Sequence, residues 1–122
     1  KRDMGKMYTS LLEGLEGFQL PMVSSSYAEN IYWVYGLVVS PDLNIDARKI
    51  IAELAKVGVG SRPFFYPLHM QPALLTRGLF TDEKLSVSES IYKYGFYLPS
   101  GLNLSFEAQR VVVEKLKSIL NL

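Results

Sequence analysis

Apolar residues near the start of the chain recur with the spacing of one helix face. They are Met4, Met7, Tyr8, Leu11, Leu12 and Leu15. Steps of three and four residues predict an amphipathic helix, and Gly14 and Gly17 predict where it ends. Only Asp3 could cap this helix, so we expect it to be the end of a longer one. Part of its apolar stripe should then stay uncovered in this chain alone.

The strongest strand pattern lies between Ile31 and Val39. This stretch carries β-branched and aromatic residues on both alternating faces, which predicts a central strand covered on two sides. Phe18–Leu20 predicts a second, shorter strand. Val59–Leu68 also has an extended character, but its prolines have no amide hydrogen to donate, so we expect an edge or irregular strand there.

Capping signals predict two helices in the middle of the chain. Asp46 is a typical N-cap for a helix whose buried face would contain Ala47, Ile50, Ile51 and Leu54. Gly58 would end that helix in a left-handed conformation. Ser86 and Glu89 have the spacing of a capping box, which predicts a short helix that ends at Gly95.

A last helix should begin near Ser105, with an inner stripe formed by Val112, Leu116 and Ile119. Residues 69–85, by contrast, show no clear periodicity. The whole pattern predicts an α+β fold in which a small antiparallel sheet packs against about four helices.

Composition narrows the possible partners. The chain has 122 residues, of which 48% are hydrophobic and 20% charged, with a net charge of +1. This charge gives no reason to expect a nucleic acid partner or an anionic membrane. The longest apolar run is too short to span a bilayer, so we expect a cytoplasmic protein. The absence of cysteine excludes disulfides, thiolate nucleophiles and cysteine-based metal sites.

Candidate chemistry is sparse outside one segment. His69 is the single histidine, so no histidine cluster can bind zinc or iron, and no complete catalytic set can be assembled. Gly58–Ser61 resembles a phosphate-binding loop only superficially, because it follows a predicted helix rather than a strand. We interpret that loop as a helix end and turn.

The segment from Ser61 to Pro72 concentrates groups that suit ligand recognition. It contains Arg62, Phe64, Phe65, Tyr66 and His69 between three prolines. Prolines reduce the entropy cost of holding such groups in place, and an arginine suits bidentate recognition of phosphate. Two interpretations remain open on these residues alone. The segment forms a binding site, or its aromatic rings belong to the core and its histidine is structural.

Residues 60–72 resemble the C-terminal signature of DegT/StrS-type sugar aminotransferases, especially perosamine-synthetase-like members. Four other stretches resemble that family in the same order. Tyr8–Leu15 resembles its interdomain helix, and Ile31–Tyr35 resembles its central strand. Tyr97–Gly101 resembles its late Leu-Pro turn, and Val111–Val113 resembles part of its terminal helix. The resemblance extends over nearly the whole chain.

The resemblance implies a fold-type I enzyme that uses pyridoxal phosphate (PLP). Such enzymes transfer an amino group from glutamate to a nucleotide-linked keto-sugar, typically a 4-keto-6-deoxy hexose. It further implies that residues 1–16 end an interdomain helix and residues 17–122 form the small domain of a homodimeric parent. The large N-terminal domain, which holds PLP and its lysine, is missing here. None of the eight lysines is assigned to PLP, so the chain alone should bind no cofactor and be inactive.

By the same resemblance, the small domain closes over the active site and contacts the nucleotide-sugar. The implied substrate contacts are Arg62, Phe64, Phe65, Tyr66 and His69, with the arginine nearest a phosphate. Some relatives have a His-Tyr pair where Phe64 and Phe65 stand. Arg62 and His69 should lie near one surface, and neither should be locked in a buried ion pair. The alternative function is a free-standing, non-catalytic binding or regulatory module derived from such a domain.

Overall fold

The computed structural model describes residues 1–122 as five α-helices and four short strands. The helices are α1 (Arg2–Leu12), α2 (Ala47–Lys56), α3 (Pro72–Leu75), α4 (Ser86–Tyr94) and α5 (Phe106–Leu120). The strands are β1 (Phe18–Gln19), β2 (Tyr35–Val39), β3 (Arg62–Pro63) and β4 (Gly95–Leu98). Two 3-10 turns lie at Pro41–Leu43 and Leu68–Met70.

The four strands form one antiparallel sheet in the order β1-β2-β4-β3. The predicted α+β fold with a small antiparallel sheet is therefore confirmed. The sequence did not reveal β4, although it pairs with both β2 and β3. Its residues were interpreted as a helix end followed by a Leu-Pro turn, and four residues give too short an alternation to identify a strand.

The predicted strand Ile31–Val39 is correct only in its second half, because β2 begins at Tyr35. Tyr32 has a left-handed backbone with φ of 51°, which an extended strand does not allow. Its amide donates to Oδ1 of Asn30 at 2.7 Å instead of to a neighbouring strand. Ile31 and Trp33 are consequently 61% and 63% exposed.

The core lies between one face of the sheet and helices α1, α2 and α5. Three tyrosine rings form its centre, with Tyr35 at 5.0 Å from Tyr8 and 5.9 Å from Tyr32 between ring centroids. Gly5 lies directly against the ring of Tyr32, so that a side chain at this position would overlap it. Gln109 on α5 donates to the main-chain carbonyl of Met4 at 2.9 Å and joins the two helices.

Helix α1 follows the predicted periodicity but ends at Leu12, before Gly14, which is left-handed with φ of 80°. Asp3 lies in its first turn rather than at its cap. Of the predicted stripe, Met4, Tyr8 and Leu12 are buried, whereas Met7, Leu11 and Leu15 are only partly covered. The expected partial exposure of this stripe is found at those three residues.

The predicted caps of α2 and α5 are confirmed. Asp46 accepts the amide of Lys49 at 2.9 Å, and Ser105 accepts the amide of Ala108 at 3.2 Å. Gly58 follows α2 with φ of 79°, as a helix end in the left-handed region requires. The loop after α2 is therefore a helix end, as the sequence predicted.

The predicted capping box of α4 is wrong. The N-cap is Leu85, and no side chain of Ser86 caps the helix. Glu89 accepts the amide of Leu85 at 3.2 Å, while its carboxylate also binds a side chain outside the helix. At the other end, the helix ends at Gly95 as predicted. Gly95 has φ of −96° and ψ of 139°, so the chain passes straight into β4.

Residues 69–85 contain more regular structure than the sequence indicated. The 3-10 turn Leu68–Met70 follows Pro67, and α3 begins with Pro72. Each element comprises a single turn, which is too short to produce a visible hydrophobic period. The chain thus has five helices instead of about four.

Candidate functional site

We call residues 61–72 the proline-rich segment. It begins along an edge of the sheet. Its residues Arg62 and Pro63 form β3 and pair with Tyr97 and Phe96 of β4, and the amide of Phe64 donates to Gly95 at 3.3 Å. Proline is tolerated at a sheet edge because no neighbour there needs its missing donor. The predicted edge strand is confirmed over these two residues, and the rest of Val59–Leu68 is irregular.

Phe64 is held by the sheet itself. Its ring stacks on Tyr97 with centroids 4.7 Å apart and planes at 29°. It also covers two glycines, since a side-chain carbon at Gly36 would lie 2.9 Å from its ring and one at Gly95 would lie 2.6 Å away. Phe64 therefore closes the sheet face opposite the core.

The next two aromatic residues point outward. Phe65 is 75% exposed, and its ring meets the edge of Tyr97 with 6.4 Å between centroids. Tyr66 is 37% exposed and meets Tyr92 of α4 edge to face at 4.9 Å. The consecutive aromatics thus divide into one packed ring and two that remain accessible.

Arg62 is exposed on β3 and forms no ion pair with any carboxylate. It lines a cleft of about 330 Å³ together with Lys1, Trp33, Val34, Gly60, Ser61, Tyr97, Leu98 and Ser100. Lys1 donates to the main-chain carbonyls of Trp33 and Ser100. Of the two cationic side chains that line this cleft, Lys1 has acceptors within the protein, whereas the guanidinium of Arg62 has none.

His69 lies inside the protein, with 5% of its surface exposed. Its Nε2 donates to Oε1 of Glu89 on α4 at 3.0 Å. The prediction that His69 would lie near the surface beside Arg62 is wrong, because the 3-10 turn Leu68–Met70 directs its ring against α4, where it is buried and hydrogen-bonded to Glu89. The hydrogen bond from His69 lowers the pKa of Glu89 below its ordinary value of 4.5, with a smaller contribution from the amide of Leu85.

The five predicted contact residues therefore occupy two environments. Arg62, Phe65 and Tyr66 are exposed, whereas Phe64 and His69 are held by the sheet and by α4. Arg62 is paired with Tyr97 across the sheet, so both side chains project from the face opposite the core. Tyr97 belongs to the same surface, and the sequence pattern does not predict this because it places Tyr97 in a Leu-Pro turn.

The residues of this chain do not fit PLP by themselves. PLP binds as a Schiff base to a lysine that the protein orients, and none of the eight lysines is buried. Lys93 borders a cavity of about 300 Å³ together with Arg48 and Tyr92, but its ammonium lies over the ring of Tyr94 at 5.0 Å.

No group of three or more histidine, cysteine, aspartate or glutamate side chains is arranged to hold a metal ion. None of the helices combines the length and the apolar character needed to cross a lipid bilayer.

Comparisons with known proteins point to one family. The chain matches the DegT/DnrJ/EryC1/StrS aminotransferase family over residues 1–117. It is 26% identical over 121 residues to the GDP-perosamine synthase of Vibrio cholerae, which covers 99% of this chain and 32% of that protein. It is 29% identical over 76 residues to the GDP-perosamine synthase of Caulobacter vibrioides, covering 62% of this chain and 20% of that protein.

The fold resembles that of a solved enzyme. The structure of the aminotransferase TlmJ from Streptoalloteichus hindustanus superposes with a TM-score of 0.82 at 19% identity, covering 98% of this chain and 30% of that structure. The chain spans less than a third of the length of the curated relatives it matches.

Proposed function

Because the chain belongs to the DegT/DnrJ/EryC1/StrS aminotransferase family, we propose that it is part of a PLP-dependent enzyme acting on a nucleotide-linked keto-sugar. The amino donor is glutamate, and the acceptor is a 4-keto-6-deoxy hexose. Two observations support a partial chain. It spans less than a third of its relatives, and its own lysines do not form a PLP site.

In this proposal, residues 1–16 are the end of an interdomain helix and residues 17–122 are the C-terminal small domain. The domain caps the active site of a cytoplasmic homodimer whose N-terminal domain binds PLP. The chain alone binds no PLP and has no aminotransferase activity, because the cofactor supplies the electron sink for the reaction.

The exposed guanidinium of Arg62 is the observation that carries the substrate-binding part of the proposal. A guanidinium binds phosphate oxygens through two parallel hydrogen bonds, and Arg62 has no competing carboxylate partner. Trp33 and Tyr97 line the same cleft and offer ring faces against which a base or sugar can pack. The cleft thus combines the chemistry needed for a nucleotide diphosphate.

The five implied contact residues act in two ways. Arg62, Phe65 and Tyr66 contact the nucleotide-sugar, since their side chains are accessible. Phe64 and His69 support the same surface from inside, through Tyr97 and Glu89.

The substitution Arg62→Ala in the full-length protein tests this proposal. It should weaken nucleotide-sugar binding by about 1.5–3 kcal/mol, the range for a hydrogen bond to a charged group. The glutamate half-reaction should be nearly unchanged, because that step needs no nucleotide. GDP-, UDP- and dTDP-linked 4-keto-6-deoxy hexoses are first tested as substrates, and the one that is turned over is used for all measurements. Stopped-flow kinetics then measures the two half-reactions separately.

Arg77→Ala is the matched control, since Arg77 is also exposed and forms no ion pair. It should leave both half-reactions intact. An equal loss in both half-reactions for Arg62→Ala would show that Arg62 supports the fold or the cofactor, and the assignment to substrate would be wrong.

A further inference from the structure

Two side-chain pairs join the proline-rich segment to α4. His69 donates to Glu89 at 3.0 Å, and Tyr66 meets Tyr92 edge to face at 4.9 Å. The partners are three residues apart in each element, which places both contacts on one face of α4. The helix thus holds the segment at two neighbouring points.

We propose that Glu89 is a positioning residue that acts through His69 to fix the stretch bearing Phe65 and Tyr66 in its substrate-binding conformation. This inference rests on the proposed function. Glu89 itself lies in α4, and no contact of its own with the nucleotide-sugar is invoked.

The hydrogen bonds of the segment explain why Glu89 has this effect. After the amide of Phe64, which binds Gly95, the main-chain bonds of residues 65–71 stay within the segment or lead into α3. The side chain of Gln71 also turns back to the carbonyl of Tyr66. The bond from His69 to Glu89 is therefore the hydrogen bond that ties this stretch to a separate element.

The burial of His69 makes the loss of this hydrogen bond costly. A buried polar group without a partner is costly, and the imidazole of His69 is almost fully buried. Loss of the Glu89 acceptor favours conformations in which the ring turns toward water. Because the 3-10 turn Leu68–Met70 carries the ring, such a change moves the exposed residues that precede it.

A different role for Glu89 must be separated from positioning. Its carboxylate also accepts the amide of Leu85 at the start of α4, so Glu89→Ala weakens a helix end as well. His69→Leu removes the bond from the other side and leaves the Leu85 contact intact. Glu89→Gln keeps an oxygen acceptor for both donors.

The kinetic experiment uses the full-length protein and the nucleotide-sugar that it turns over. Glu89→Ala and His69→Leu should each raise KM for the nucleotide-sugar about tenfold, since small displacements of binding groups are costly, while kcat changes less than about twofold. Glu89→Gln should recover most of the loss. Glu114→Ala is the control, because Glu114 is an exposed carboxylate that binds only Arg110 on the same helix.

Hydrogen exchange supplies a readout that does not depend on substrate. In Glu89→Ala and His69→Leu, amides of residues 68–71 should exchange about tenfold faster, whereas those of α5 should not change. Faster exchange throughout the protein would show that the bond stabilises the whole fold, and this would overturn the inference.

The outcomes also separate this inference from the proposed function. If Arg62→Ala weakens nucleotide-sugar binding but His69→Leu and Glu89→Ala leave KM unchanged, the inference alone is wrong. If Arg62→Ala has no effect on binding, the substrate-binding part of the proposed function is wrong, and the inference that rests on it is overturned as well.

Discussion

The sheet face beneath α1, α2 and α5 is filled by large side chains, whereas the opposite face has two glycines beside Tyr97 and a ring supplied from a loop. Tyr35, Leu37 and Val39 are fully buried on the first face. On the second face, Gly36 and Gly95 leave the space that Phe64 occupies. The first face is thus covered by three helices, and the second by α4 together with a segment whose position depends on a few contacts.

This difference explains where the candidate site lies. A helix packed on a sheet buries a continuous stripe and leaves little for a ligand. The proline-rich segment instead anchors one ring at Phe64 and leaves Arg62 and Phe65 at the surface. The less completely covered face is therefore the one at which we propose that the substrate binds.

Gly95→Ala should disrupt the packing of the second sheet face and cause the largest loss of stability. A side-chain carbon there would overlap the carbonyl oxygen of Ile91 and lie 2.6 Å from the ring of Phe64. We expect a loss of about 3 kcal/mol in the free energy of unfolding, because the backbone at the junction of α4 and β4 cannot shift easily. Urea denaturation measures it. Gly60→Ala, which meets no atom within 4 Å, should stay within about 0.5 kcal/mol, and equal effects would refute the close packing at Gly95.

Phe64→Ala and Phe65→Ala should separate packing from exposure on the same segment. Phe64 stacks on Tyr97 and covers both glycines, so its truncation should cost about 2–3 kcal/mol of unfolding free energy. Phe65 is largely exposed, and its truncation should cost less than about 0.5 kcal/mol. Thermal or urea unfolding of the two variants compares them directly. A larger loss at Phe65 would mean that the roles of the two rings are reversed.

Tyr8→Phe tests the packing of the first sheet face, and its expected effect on the free energy of unfolding is smaller than those of Gly95→Ala and Phe64→Ala. The hydroxyl of Tyr8 donates to the carbonyl of Pro99 at 2.9 Å, so its removal should cost about 1 kcal/mol at neutral pH. Burial raises the pKa of Tyr8 and of Tyr35 above the ordinary value of 10.0. The folded state then keeps protons that the unfolded chain releases above pH 10, and stability falls as the pH rises further.

Unfolding free energies measured between pH 7 and pH 11 test this dependence. The unmodified chain should lose stability above pH 10, and Tyr8→Phe should lose it less steeply, because one of the three tyrosines with a raised pKa is absent. Parallel curves for the two proteins would show that Tyr8 ionises equally in both states.

The elements that were predicted correctly from the sequence are those whose signals are local. Asp46 and Ser105 mark the starts of α2 and α5 because a cap acts on amides within one turn. The apolar period of α1 likewise predicted its buried Met4, Tyr8 and Leu12. Residue types alone also indicated that residues 61–72 contain several groups suited to ligand recognition.

Features that depend on partners distant in the chain could be identified only from the tertiary structure. β4 is a strand because Leu98 and Phe96 pair with Tyr35 and Leu37, and four residues carry no such information. Tyr32 leaves the extended conformation, despite a strong strand pattern, where its ring packs against Gly5.

The same reason applies to the candidate site. Residue types predicted that Arg62, the three aromatics and His69 could recognise a ligand, but they did not show which of them would be accessible. The glycines beneath Phe64 and the carboxylate of Glu89 decided this. These partners are more than 15 residues away in the chain, where local preferences no longer act and packing selects the conformation.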